Sequence, residues 1–251
     1  MHRAWDFAAL QAIGQREQQE DYCAFLEAND AVLAVLADGM GGHEAGEIAA
    51  RLSVDTFIKA IQAMDGPWAG SFLSAVHAAN TALSSHVDQH PERAGMGCTL
   101  IGADIAPDCI RWVSVGDSRL YLFSNDTLEQ LNADHSMGSR LDGLAARGEI
   151  TFEQAQTDES RHMLLSALTG EQIELLDYSR KARVLSSGDL IILASDGLDS
   201  LTREDVQERL SKYKNWKASD IARGLLSAVL KCGKPRQDNI SIIVVKHGST
   251  T

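Results

Sequence analysis

Five apolar runs in this chain carry a carboxylate at one end. "AVLAVLADG" stops on Asp38, "WVSVGD" on Asp117 and "LIILASDG" on Asp196, while "EDYCAFL" opens with Glu20 and Asp21 and "DNISIIVV" with Asp238. A charge at the mouth of a buried strand is expensive to desolvate unless something positive meets it. Read singly, an Asp-Gly pair is a turn signal with its side chain in water. Turns do not require Asp at every strand mouth, however. If these groups converge, their repulsion raises their pKa values and calls for cations. Oxygen-only ligands suit hard octahedral ions, Mg²⁺ or Mn²⁺, better than zinc. Gly39 and Gly197 follow two of the aspartates and permit close backbone approach, so a main-chain carbonyl can join the shell. No HExxH helix or Cys/His cluster offers zinc a site.

The elements that must position these groups can be read from periodicity. "DFAALQAI", "YCAFLE" and "AVLAVLA" have the alternation or short continuous apolar runs of strands. A helix is expected from Glu44, with apolar positions at Ile48, Leu52, Phe57, Ile58, Ile61 and Met64 and two acids in its first turn. A second follows through Phe72, Val76, Ala79, Leu83 and Val87. "CTLIGADI", "CIRWVSVG" and "RLYLFS" read as consecutive strands. Residues 134–170 are polar and broken, suited to short helices, with a capping-box signal at Thr151 and Gln154. "LIILAS" is a strand, Thr202 to Asp205 caps a helix, Ile221 to Leu230 forms another, and "ISIIVV" is the last strand. The pattern is α/β or α+β, and it leaves sheet topology open.

The 251 residues carry 23 Lys and Arg against 35 Asp and Glu, a formal net charge of −12. That field disfavours nucleic acid and anionic membrane as partners and favours cations. No apolar run approaches a membrane span, and with Asp6 inside its apolar stretch the N-terminus is not expected to act as a signal peptide. No Pro/Ser-rich linker or repeat divides the chain, so one domain over 1–251 is expected. Cys23, Cys98, Cys109 and Cys232 lack metal-ligand spacing and read as reduced, mostly core thiols of a cytoplasmic protein. None is followed six positions later by Arg, which removes the Cys-x5-Arg phosphatase chemistry, and no Asp-x-Asp pair exists to form an aspartyl phosphate.

"REQQED" (16–21), "DGMGGH" (38–43), "GCT" (97–99), "VGDSR" (115–119), "DHS" (134–136), "SDGL" (195–198) and "DN" (238–239) occur in that order. The ordered set resembles the metal-dependent protein serine/threonine phosphatases of the protein phosphatase 2C (PPM) type, in their compact bacterial form. The resemblance spans residues 14–245. It implies an α+β fold, a four-layer α-β-β-α sandwich of two central, mainly antiparallel sheets flanked by helices, with a flap-like segment near 135–170. It also implies that Asp38 bridges two Mn²⁺ or Mg²⁺ ions, that the Gly39 carbonyl binds one, and that Asp196 and Asp238 complete the ligands. Glu20 and Asp21 match an acidic pair behind the ligands, Arg16 matches a phosphate-binding arginine, and Asp117 with Asp196 matches a weaker third metal site. His43 is a candidate substrate contact, as open to reading as a local helix-entry residue.

Two metals about 4 Å apart can share and activate a water for in-line attack on phosphorus. Arg16, fork-shaped and always charged, suits phosphate oxygens. The implied activity is hydrolysis of phosphoserine and phosphothreonine in cytoplasmic proteins, opposing a kinase, by a chain expected to be monomeric. Two other functions compete. An inactive phosphatase-like binding module would have little need to keep Asp38, Asp196 and Asp238, and a metabolite phosphatase would call for a closed, basic pocket. The chain departs from the family pattern at Gln19, Met40 and Ser200, with Asp199 one residue early for a third-metal ligand. The segment "SRHMLLSALTG" fits the flap pattern only loosely, and Asp134, His135 and Ser136 read as a structural turn.

Overall fold

A computed structural model of the chain describes residues 5–28, 30–42, 44–64 and 68–247. Its strands are β1 (Trp5–Ala12), β2 (Tyr22–Ala28), β3 (Ala31–Ala37), β4 (Gly39–Met40), β5 (Gly97–Cys98), β6 (Leu100–Ala106), β7 (Cys109–Val115), β8 (Arg119–Ser124), β9 (Thr127–Gln130), β10 (Asp177–Tyr178), β11 (Arg183–Val184), β12 (Leu190–Ala194) and β13 (Ile240–His247). The α-helices are α1 (Glu44–Gln62), α2 (Phe72–Gln89), α3 (Met137–Ala146), α4 (Phe152–Thr157), α5 (Arg203–Tyr213) and α6 (Ala218–Lys231). One sheet has the order β1-β13-β12-β8-β9, and the other β10-β7-β6-β3-β2, with β11 also on β7. Every pairing is antiparallel.

The continuous apolar runs have a simple cause: the central strands are covered on both faces. Along β3, Leu33, Val35 and Ala37 point into a cluster with α1 and α2. The alternate residues Val32, Ala34 and Leu36 meet Leu120, Leu122, Ile191, Leu193 and Ile243 of the other sheet. On the far side, Ile192, Ile242 and Val244 join Leu210, Ile221 and Leu225 of α5 and α6. These three apolar layers make the expected helix-sheet-sheet-helix sandwich. Truncating a fully buried leucine such as Leu33 or Leu193 to Ala would cost about 2–5 kcal/mol.

The sheet register collects the acids. Tyr22 lies opposite Ala37, so the residues before β2 and after β3 share one edge. Leu100 lies opposite Val115, which brings the end of β7 to that edge through β6. In the other sheet Ala194 pairs with Ile242, joining the end of β12 to the start of β13. Asp21, Asp38, Asp117, Asp196 and Asp238 therefore flank the same end of the sandwich.

Helix starts follow local chemistry. Thr151 with Gln154 and Thr202 with Asp205 form reciprocal capping boxes at α4 and α5. The buried face of α1 differs from the periodic expectation: it runs through Gly46, Ala49, Ala50, Ser53, Val54, Phe57 and Ile61. Met64 is 52% exposed, and Ile48, Leu52 and Ile58 pack only at the flank. Small side chains let the helix lie close on its sheet, and the larger ones are displaced to its sides. The cysteines are also less buried than expected. Only Cys98 is fully enclosed, with Cys23 and Cys109 part-covered and Cys232 exposed just past the end of α6. The short strands β9, β10 and β11 lack a continuous apolar run because they lie at sheet margins with exposed residues.

Candidate active site

Asp38 is fixed by its neighbours' backbone and hydroxyls. Its amide donates to Thr99 Oγ1 at 3.0 Å and its carbonyl accepts from the Thr99 amide at 2.9 Å. Thr99 Oγ1 also lies 2.7 Å from Ser118 Oγ, which ties the Asp38 turn to the loop carrying Asp117. Gly39 has no room for a side chain: a Cβ there would sit 2.2 Å from the Gly46 carbonyl and 2.5 Å from that of Glu20. The turn after Asp38 is thus wedged between the start of α1 and the segment before β2.

The other acids close around it. Asp21 is buried and accepts from Ser195 Oγ at 2.8 Å, and the same serine hydroxyl accepts from the Ser241 amide. Asp238 Oδ1 accepts from the Asn239 amide at 2.8 Å, and its Oδ2 accepts from Arg16 Nη2 at 2.5 Å. Asn239 works as a clamp. It accepts from the Glu20 amide at 2.8 Å and donates to the carbonyls of Ile13 and Gln18 at 2.9 Å, holding the Arg16-bearing loop against β13.

The electrostatics are those of a site lacking positive charge. Burial, then the charges of Asp21, Asp196, Asp117 and Asp238, holds the Asp38 carboxyl well above the carboxylate range. Burial followed by Asp117, Asp238, Asp199 and Asp21 pushes Asp196 up to about 8. Burial likewise raises Asp21, against the hydrogen bonds it accepts. One oxygen each of Asp21 and Asp196 is buried without a hydrogen-bond partner. Among the described residues no three Asp, Glu, His or Cys side chains stand in ready-made metal-binding geometry. What the fold assembles is a ring of acids, Asp21 buried and Asp38, Asp196 and Asp238 partly open, with an orphaned oxygen on each of Asp21 and Asp196. Its hard donors, its charge deficit and the nearby Gly39 backbone fit divalent cations of the Mg²⁺ and Mn²⁺ class.

These residues line a cavity of about 670 Å³ that includes Arg16, Glu20, Asp38, Asp117, Asp196 and Asp238. The opposite wall is His162 to Ala167, with Thr169, Gln172 and Glu174. This wall falls within the flap-like segment expected near 135–170, and which of its residues face the cavity was not legible, because its contacts are made by backbone. Leu168 and Cys98 exchange amide hydrogen bonds at 2.9 Å, and the Leu165 amide donates to His135 O. Asn80 of α2 accepts from the amides of Thr169 and Gly170 and donates to Glu171 O. The support that Ser195 and Ser241 give to Asp21 was not legible in the sequence. The available signal was a small polar residue at the end of one apolar strand, Ser195 just past β12, and within another, Ser241 in β13.

Asp117 stands apart from the ring's center. Its carboxyl is pushed up to about 6 by burial and by Asp134 and Asp199, against the pull of Arg119. Arg119 spans Asp134 at 2.5 Å and Asp199 at 2.7 Å. Ser200 donates instead to Gln237 Oε1. His135 accepts from the Gly116 amide and Ser136 caps α3, so this segment is a structural turn as expected. His43 lies outside the described residues.

The family model for protein phosphatase 2C matches residues 11–232. The chain belongs to the protein phosphatase 2C family. It is 35% identical over 218 residues to the serine/threonine protein phosphatase PstP of Mycobacterium tuberculosis, a match covering 84% of this chain and 40% of that protein. The chain thus spans about two fifths of that relative's length. It is 29% identical over 242 residues to the serine/threonine phosphatase stp of Listeria monocytogenes, covering 94% of this chain and 92% of the relative. Its fold superposes on the catalytic domain of PstP in complex with two manganese ions with a TM-score of 0.78. That match has 32% identity and covers 96% of this chain and 97% of the other. As in other members of the protein phosphatase 2C family, two antiparallel sheets lie between helix layers. None of the described helices is long and apolar enough to cross a membrane.

Proposed function

We propose that this chain is a metal-dependent protein serine/threonine phosphatase that hydrolyses phosphoserine and phosphothreonine with two Mn²⁺ or Mg²⁺ ions. The observation that carries this reading is the convergence of Asp38, Asp196 and Asp238 on one cavity with Arg16 among its lining residues, with Asp21 behind them and one oxygen each of Asp21 and Asp196 buried without a partner. When bound, the ions supply Lewis-acid charge neutralisation and activate a water for attack on phosphorus.

In this reading Asp38, the Gly39 carbonyl, Asp196 and Asp238 would hold the ions, as the family resemblance implies. Glu20 and Asp21 act from behind as hydrogen-bonding partners of the coordination sphere. The Asp21 carboxyl is well suited to this, since Ser195 fixes one oxygen and leaves the other free to accept. Arg16 presents a half-exposed guanidinium whose fork can hold two phosphate oxygens, and its contact with Asp238 aims it at the cavity. Phosphoryl transfer asks mainly for positioning and charge neutralisation, so the chain needs no covalent nucleophile. Burial pushes the Cys98 thiol up to about 12 and Cys23 up to about 11, which suits neither to nucleophilic attack. Asp117 contributes to a weak third cation site, and His43 to substrate contact.

The natural substrates are phosphorylated proteins in the cytoplasm, modified by a serine/threonine kinase that this chain opposes. Four thiols without a disulfide support a reducing compartment. We further propose that residues 1–251 act as one monomeric phosphatase domain with residues 135–170 as its flap. The test is phosphate release from phosphoserine and phosphothreonine peptides by purified protein with added Mn²⁺ or Mg²⁺. Activity should vanish in excess chelator. Full turnover after verified metal removal would overturn the mechanism, and activity confined to small phosphorylated metabolites would overturn the substrate class.

A further inference from the structure

A second concavity, of about 790 Å³, lies between α5 and α6, and its lining shares no residue with the acidic cavity. Its construction begins with Gly224, where a Cβ would sit 2.6 Å from the Tyr213 ring. The missing side chain lets Tyr213 lie against α6, and Trp216 stacks on Tyr213 with ring centroids 4.3 Å apart and planes within 18°. Trp216 is nonetheless 47% exposed, a large aromatic face left open to solvent.

Cations surround this face. Arg209, Lys217, Arg223 and Lys231 line the groove, and Lys214 and Lys246 line a depression that shares Asn215, Trp216 and Lys217 with it. Six of the 23 Lys and Arg of a chain with net charge −12 thus line this groove and the adjoining depression. The acids there are already committed: Asp220 pairs with Arg223 at 2.9 Å, and Asp6 accepts from the Ala218 amide at 2.8 Å. Lys214 is paired with Asp126 and Lys246 donates to the Trp216 carbonyl. Among the described residues, Lys217 and Lys231 have no ion pair with an acid. The Arg209 Nε–H is sheltered from solvent with no acceptor, a donor that an incoming anion would satisfy.

We propose that the α5–α6 groove docks an acidic, extended peptide segment of a partner protein, remote from the acidic cavity. Lys217 and Lys231 stand at opposite ends of α6, about 20 Å apart at the rise of an α-helix. A ligand that meets both is extended rather than compact, and about six to eight residues of extended chain cover that span. Exposed aromatic surface ringed by cations suits carboxylates interspersed with apolar side chains. The net negative field of the whole chain opposes a nucleic acid more strongly than it opposes a short peptide.

The test uses the full chain and a fluorescently labelled peptide of about eight residues, Glu-rich with one Leu and one Phe. Binding should shift tryptophan emission and weaken steeply with salt. Trp216→Ala and the double variant Lys217→Glu/Lys231→Glu should each weaken binding at least tenfold. Both should keep the wild-type circular dichroism and wild-type p-nitrophenyl phosphate hydrolysis, since neither touches the acidic cavity. Because the readout is binding, failure of the phosphatase reading leaves the result intact. The proposal is overturned by absence of binding to the wild type or by undiminished binding in the variants. It is equally overturned if single-stranded nucleic acid or anionic vesicles bind more tightly than the peptide through the same residues.

Discussion

Two groups of carboxylates sit within one end of the sandwich, and the fold treats them in opposite ways. Around Asp134 and Asp199 the chain supplies its own cation: Arg119 reaches both, with only 14% of its side chain exposed. Around Asp38 and Asp196 the described residues supply none, and their carboxyls are held well above the usual range, Asp196 at about 8. Asp117 stands between the two and is pushed up to about 6, with Arg119 pulling it back. An internal guanidinium makes a self-sufficient structural cluster. Withholding one leaves acids that either keep their protons or must be balanced by an outside cation.

The largest expected effects come from breaking the unbalanced group. Chelation should abolish turnover. Asp38→Asn, Asp196→Asn and Asp238→Asn should each reduce it by at least about a hundredfold, since each removes charge from a proposed ligand. The fold should survive, because relief of carboxylate repulsion offsets the change; circular dichroism alongside kinetics at limiting Mn²⁺ checks both halves. A variant with near wild-type turnover at limiting metal removes that residue from the ligand set.

The same contrast predicts a pH dependence for the metal-free protein. In the unfolded chain these carboxyls ionise near 3.9, whereas Asp196 in the fold holds its proton to about 8. Between those values the folded state binds more protons than the unfolded one, so stability falls as pH rises through the window. Melting temperature measured in chelator should therefore drop from pH 5 to pH 8, and saturating Mn²⁺ should reverse the slope. Asp196→Asn should flatten the metal-free curve.

Much of this arrangement was legible because it rests on side-chain type at strand ends. Asp38, Asp117, Asp196 and Asp238 follow or precede apolar runs that the structure covers on both faces, and the capping boxes at Thr151 and Thr202 depend on four adjacent residues each. Convergence itself was not readable from periodicity. It depends on register, as in Tyr22 opposite Ala37 and Ala194 opposite Ile242, and register is a property of pairs distant in sequence. The ordered motifs stood in for that information. Where motifs were loose, as between His162 and Gly170, only a flap-like segment was readable and not the wall it builds, because amide hydrogen bonds to Cys98 and Asn80 hold it whatever its side chains are.

Arg16 gives an intermediate case, a protein cation paired with a ring acid yet half-exposed and free to exchange partners. Arg16→Ala should lose a charge-assisted phosphate contact of roughly 1.5–3 kcal/mol, about ten- to a hundredfold in substrate affinity. KM and Mn²⁺ affinity measured on one variant separate the roles. An unchanged KM with weakened metal binding would assign Arg16 to holding Asp238 instead.

The smallest effect belongs to Asp117, at the border between the two groups. A third cation there would have Asp117 and Asp196, but Asp199 is drawn away by Arg119 and Ser200 is engaged by Gln237. Fewer available carboxylates mean weaker binding of a hard ion, so this site should fill only at millimolar metal. Asp117→Ala should leave the two tighter ions in place and lower turnover on phosphopeptide only several-fold, through loss of assistance to the leaving group. Arg119→Met sharpens the point, since it releases Asp199 while leaving Asp117 intact. That variant should melt at lower temperature, because Asp134 and Asp199 lose their buried partner, yet bind the third Mn²⁺ more tightly than the wild type. Metal titration of both variants by calorimetry decides the matter. Tight third-site binding in the wild type, unchanged by Arg119→Met, would mean that the guanidinium and the ion do not compete for Asp199.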